Sequence, residues 1–141
     1  MNAFEEVRLT QKMQKQQQEE KEILLLAEYM KHVDIATKAI DEAMKGIDKI
    51  EGVVIAYRDH GMHNGNMLKN VHAFYLRDKP HVYYELAIMV DHRKRVSICV
   101  VYQGETLPKV GQVIKENQDE VKRYAKSCLF EIAAGLYRDH D

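Results

Sequence analysis

The sequence predicts an α+β domain in which two long helices flank a four-stranded antiparallel meander. Three observations carry this prediction. Residues 1–49 hold no Pro and a single Gly (Gly46), with apolar residues recurring at steps of three and four. Residues 53–102 alternate with a period of two between short polar turns, and residues from about 115 to 137 return to the helical period.

The first helix divides by composition. The stretch Gln11–Glu22 contains five Gln, three Glu, three Lys and only Met13 as an apolar residue. Such straight-chain residues favour helix intrinsically but give it no face to bury, so residues 1–22 read as a polar helical arm. From residue 23 a heptad seam follows: Ile23, Leu26, Met30, Val33, Thr37, Ile40, Met44 and Ile47, with Thr37 its one polar member. A break is expected near His32–Asp34, because Asp is a good N-cap, and Gly46 or Gly52 is expected to end the run.

Strands follow at Val53–Arg58, from Leu68 or Lys69 to Arg77, at Val82–Val90 and at Val96–Tyr102. A Gly- and Asn-rich loop is expected over Asp59–Asn66, containing the hairpin signal Asn64-Gly65. Arg77–Pro80 and Asp91–Lys94 supply the other turns, and the short connections make the sheet an antiparallel meander over residues 52–103. Gly104 closes the sheet, Thr106 and Pro108 suggest a capped turn, and a second helix is expected over Lys115–Tyr137. If Val82, Tyr84, Leu86, Ile88 and Val90 face the helices, then Tyr83, Ala87, Met89, Cys99 and Val101 fall on the opposite face. That face is expected either to stay open as an apolar patch or to lie under a second helix.

Composition narrows the function classes. The 141 residues (16.5 kDa) suit one domain. Lys plus Arg number 21 and Asp plus Glu 22, and no segment departs from that balance. A duplex-coating protein or an acidic nucleic-acid mimic needs a strong field of one sign, which this chain lacks. Two Cys make no disulfide scaffold, so a reducing, cytoplasmic setting is expected. Apolar runs such as Ile23–Ala27 fall far short of a membrane span. The acidic Glu5 and Glu6 do not fit the basic start of a signal peptide.

Chemistry-bearing residues gather at one end of the expected sheet. In a meander, Asp59, His60, His63 and Asn64 come to the same end as Asp91, His92, Arg93, Lys94 and Arg95. Imidazole and carboxylate suit a metal, which makes His60, His63 and Asp91 a candidate ligand set. Arg58, His63, His92, Arg93, Lys94 and Arg95 form a candidate site for a phosphate ligand or a nucleic-acid backbone. Glu85 and His72 suggest an acid–base pair across neighbouring strands. Cys99 and Cys128 read as buried, inert thiols. Neither a nucleophile elbow nor a phosphate-binding Gly loop occurs. Asp78 with Glu85-Leu86-Ala87 resembles the Asp…Glu-x-Lys hairpin of the restriction-endonuclease-like nucleases over about ten residues. Ala87 stands where that family has Lys, which argues against an active nuclease of this type.

The function expected on these grounds is non-enzymatic: a small regulatory or inhibitory protein, without cofactor, that binds a protein partner. It is expected to be a homo-oligomer joined through Ile23, Leu26, Met30, Val33, Ile40, Met44 and Ile47 of the helix and Tyr83, Met89 and Val101 of the sheet. The composition also fits an accessory protein of a phage or mobile element. The alternative is a module for phosphate ligands or nucleic acid using the basic hairpin end.

Overall fold

The computed structural model of the chain describes residues 1–102, 105–106, 112–114 and 117–140. The elements are α1 (Ala3–Ala43), a 3-10 turn (Ile47–Lys49), β1 (Val53–His63), β2 (Asn66–Leu76), β3 (Lys79–Val90), β4 (Val96–Tyr102), β5 (Glu105–Thr106), β6 (Gln112–Val113) and α2 (Gln118–His140). The architecture is α+β: an N-terminal helix, the antiparallel meander β1-β2-β3-β4, and a C-terminal helix. The short strands β5 and β6 both pair with β4, an addition that their two-residue length hides from any periodicity. Thr106 lies in β5 rather than in a helical turn, while Gly104 and Pro108 lie outside the described residues.

α1 is one continuous helix. Asn2 caps it by accepting from the Glu5 amide at 2.9 Å and donating to Glu5 Oε1 at 3.2 Å, and Glu5 and Glu6 complement the first turn. The break expected at His32–Asp34 does not form. Neither Gly nor Pro interrupts this stretch, and Asp34 turns outward to Lys38 at 3.0 Å. Gly46, with a φ of 82°, takes the left-handed conformation that ends the run.

Asn64 and Gly65 both have positive φ (50° and 81°), the geometry of a two-residue hairpin that matches strand twist. The pairing therefore runs right up to it, with His63 opposite Asn66. The loop expected over Asp59–Asn66 is thus largely strand on both sides of a tight turn. On β2 a bulge sets Asn70 and Val71 against one residue of β3, with Asn70 at a φ of 51°.

Both helices pack on the same face of the sheet. Ile35, Ala36, Ala39 and Ile40 of α1 meet Val121, Ala125, Leu129 and Ile132 of α2 over Phe74, Leu86, Ile88, Ile98 and Val100. α2 begins later than expected, because Asn117 Oδ1 accepts from the Glu120 amide (3.2 Å) and sets the start there.

The opposite face is not the open apolar patch the sequence suggests, nor does a helix cover it among the described residues. Ala87, Cys99 and Val101, with Leu68 and Val71, form a second buried cluster, and Met89 packs against it half-buried. One contribution is visible in the register. Arg58 on β1 reaches across β2 at Val71–Ala73 to Glu85 on β3, at 2.8 Å, so its stem roofs part of the cluster. Val101 is therefore core and not available to a partner, whereas Tyr83 stays partly exposed at the rim. Arg58→Ala should cost about 1 kcal/mol in urea denaturation. It leaves Glu85 unpaired and nearly buried, although the half-exposed arginine limits the strength of the pair. An unchanged midpoint would show that the roof is dispensable.

Candidate functional site

The hairpin end does bring the two expected turns together: Met62 is level with Met67, Met67 with Val90, and Val90 with Val96. It does not bring the expected cations to one point. Arg58 lies four residues short of that level and is committed to Glu85 on the face opposite the helices. Asp91 organises the β3–β4 turn, accepting from the Arg93 and Arg95 amides at 2.9 Å each and from Arg95 Nε at 2.6 Å. Burial works to raise the Asp91 pKa, but these bonds from Arg95 and Arg93 outweigh it and hold the carboxyl below its ordinary value. Lys94 and Lys69 lie over the Tyr29 ring at 5.4 and 5.3 Å. His92 and Arg93 remain exposed. The expected metal set is not assembled either. His63 lies against the Asn64 amide at 3.2 Å, Asp91 is spent on its own turn, and among the described residues no three His, Cys, Asp or Glu side chains converge.

His72 and Glu85 do not pair. The β2 bulge turns His72 toward the helices, whereas Glu85 points to the other face. His72 instead lines a half-open cleft of about 200 Å³ with Thr37, Ile40, Asp41, Tyr57 and Asn70. There the Tyr57 hydroxyl donates to Asn70 Oδ1 (2.9 Å), Asn70 Nδ2 donates to Thr37 Oγ1 (3.0 Å), and Thr37 donates to the Val33 carbonyl (2.8 Å). Thr37, the polar member of the seam, is thus the anchor that ties α1 to the bulge. Hydrogen bonding to Asp59 is the main influence raising the Tyr57 pKa. Burial lowers the His72 pKa below its usual value, against the opposing pull of Asp41. A depressed histidine pKa means that the unfolded chain binds the proton more readily. Stability associated with His72 is then full above about pH 6.5 and falls away as the pH drops through the folded-state value. His72→Phe should keep the ring packing and flatten this part of a stability–pH curve; an unaltered slope would remove the assignment.

Burial raises both thiols, Cys99 to about 12 and Cys128 to about 11, so each stays protonated and unreactive at neutral pH.

The most conspicuous surface is the first part of α1. Every residue from Met1 to Glu28 is exposed; Leu25 and Glu28 still border the β3–β4 turn beside Tyr29, and before them α1 projects from the body for roughly 33 Å. It displays Phe4, Val7, Leu9, Met13 and the run Ile23–Leu26, followed by Met30. Ile23, Leu26 and Met30 are 66, 54 and 59% exposed. The seam therefore splits: Ile40 belongs to the core, Val33, Met44 and Ile47 pack partly against it, and only the members before Val33 are free. Ile40 is expected at an interface, but it is buried in the cluster that α1 shares with the sheet and α2. Among the described residues no helix is long and apolar enough to cross a membrane. Compared with family models, curated proteins and solved structures, the chain finds no match.

Proposed function

We propose that the protein acts by binding, not by catalysis, and that it does so as an oligomer of its own chain joined through the projecting part of α1. One observation carries this reading: about 22 helical residues, from Ala3 to Leu24, stand clear of the body while displaying large apolar side chains. Helices in proteins owe most of their stability to packing of an apolar face, and an exposed patch of this kind on a folded domain marks an interaction surface. The side chains offered for chemistry support the same reading, since Arg58, Asp91 and Arg95 are engaged in holding the fold. Our proposal includes the small regulatory or inhibitory role expected from the sequence, exercised by occupying a partner's surface.

The test is the solution mass. Light scattering on the full chain at tens of micromolar should give a multiple of 16.5 kDa, and Leu26→Glu with Met30→Glu should return the monomer. Both positions are exposed, so the denaturation midpoint at submicromolar concentration should move by no more than about 0.5 kcal/mol. A wild-type chain that stays monomeric would overturn the proposal.

A further inference from the structure

We infer that the projecting helix pairs with the same helix of a second copy in antiparallel orientation. This rests on the self-association proposed above and adds its geometry. The evidence is the order of residues along the exposed part of α1. Arg8, Lys12 and Lys15 fall in its first half, and Glu19, Glu20, Glu22 and Glu28 in its second, with Glu5, Glu6 and Lys21 the exceptions. Apart from Met13, the apolar residues stand outside this charged middle, at Phe4, Val7 and Leu9 on one side and at Ile23–Leu26 and Met30 on the other.

Continuing the heptad seam back from Ile23 and Leu26 by sevens gives Glu19, Gln16, Lys12, Leu9 and Glu5. In a parallel, in-register pair each of these meets itself. Glu5, Lys12 and Glu19 would then make three layers of like charge in the seam, an arrangement that costs affinity rather than supplying it. Reversing one helix about a point between residues 17 and 18 changes every layer. Leu9 meets Leu26 of the second copy, Lys12 meets Ile23 with Glu22 beside it, and Gln16 meets Glu19. At the flank, Lys15 comes beside Glu22. The glutamines of the centre, polar but uncharged, are tolerant of this crossing, and the basic residues Arg8, Lys12 and Lys15 lie along the acidic stretch Glu20–Glu28 of the other helix. The free length is also sufficient for these layers: they need residues 9–26, and the first buried residue of α1 is Tyr29. Nothing comparable favours an unrelated partner, because the complement of this surface is present within the chain.

The experiment uses the full chain with a single added thiol, Val7→Cys or Gln17→Cys, carrying a nitroxide; Cys99 and Cys128 are buried and stay protonated. Dipolar spectroscopy should give a short inter-label distance at position 17. At position 7 it should give one of roughly 30–40 Å, because the equivalent residues are offset by about 21 residues of 1.5 Å each. A short distance at both positions in a sample of dimer mass would overturn the antiparallel arrangement and leave self-association standing. A monomer mass would instead remove the self-association itself. Charge reversal gives an independent reading. Lys12→Glu should weaken the antiparallel dimer at least tenfold at low salt, since it sets position 12 of each helix beside Glu22 of the other. In a parallel pair it would only exchange one like-charge contact for another, so an unaltered dissociation constant would count against the inference.

Discussion

Ile40→Ala should destabilise the folded chain by about 2–5 kcal/mol, the range for truncating a buried isoleucine where the surroundings cannot collapse fully. Leu26→Ala, two heptads earlier in the same seam, should change it by no more than about 0.5 kcal/mol. The two residues look alike in sequence, and their positions in the repeat are equivalent. They differ in what lies beside the helix. Ile40 is 1% exposed and packs in the cluster shared by α1, the sheet and α2, whereas Leu26 is exposed where α1 leaves the body. Urea denaturation at submicromolar concentration separates the effects, because association contributes little there. Light scattering at high concentration should show the converse pattern, with Leu26 the sensitive position. If both substitutions cost the same at low concentration, the projecting helix packs on its own body in solution, and the division of the seam is mistaken.

This division marks how far the sequence can be read. Its periodicities are local properties, and they located two helices and four antiparallel strands correctly. Asn64-Gly65 named its turn because few other residue pairs accept two positive φ values at low cost. What periodicity cannot contain is the point at which a helix parts from its sheet. Ile23 and Ile40 carry the same signal, and only the tertiary arrangement distinguishes them. The β2 bulge was equally hidden. Asn70 in the left-handed conformation shifts the register by one residue, sending His72 to the helix side and separating it from Glu85. The Asn70–Thr37 bond offers a partial clue in retrospect, since a lone threonine in an apolar seam invites a search for its partner. The basic hairpin shows another limit. Its cations were legible, but Asp91 organises Arg93 and Arg95 from within the turn, and Lys94 is drawn to Tyr29, a residue more than sixty positions away. Charge counted along the chain does not reveal which charges are already answered.

The second large effect is expected at Gly135, where Ala should destabilise the protein by about 1–3 kcal/mol, as overpacking of a tight core does. On helix propensity alone the substitution should stabilise by about 1 kcal/mol, because Gly135 lies within α2. A Cβ at this position, however, would stand 2.3 Å from the Tyr84 hydroxyl oxygen and 2.4 Å from its ring carbon Cζ. Tyr84 has little room to yield: it is 3% exposed, and its ring stacks on Tyr102 with centroids 4.4 Å apart and planes 16° from parallel. The methyl must therefore push α2 away from β3, loosening the contacts that Ile132 and Leu136 make with the core on either side. The neighbouring Ala134 is exposed and supplies the control, since Ala134→Gly reports propensity without the clash. An ordinary helical site would give equal and opposite effects at 134 and 135; this geometry gives destabilisation at both. Tyr84→Leu should reduce the penalty of Gly135→Ala in a double-mutant cycle by removing the atoms it strikes. A stabilised Gly135→Ala variant would mean that α2 lies further from the sheet than described, and the close packing of the helix on β3 would have to be abandoned.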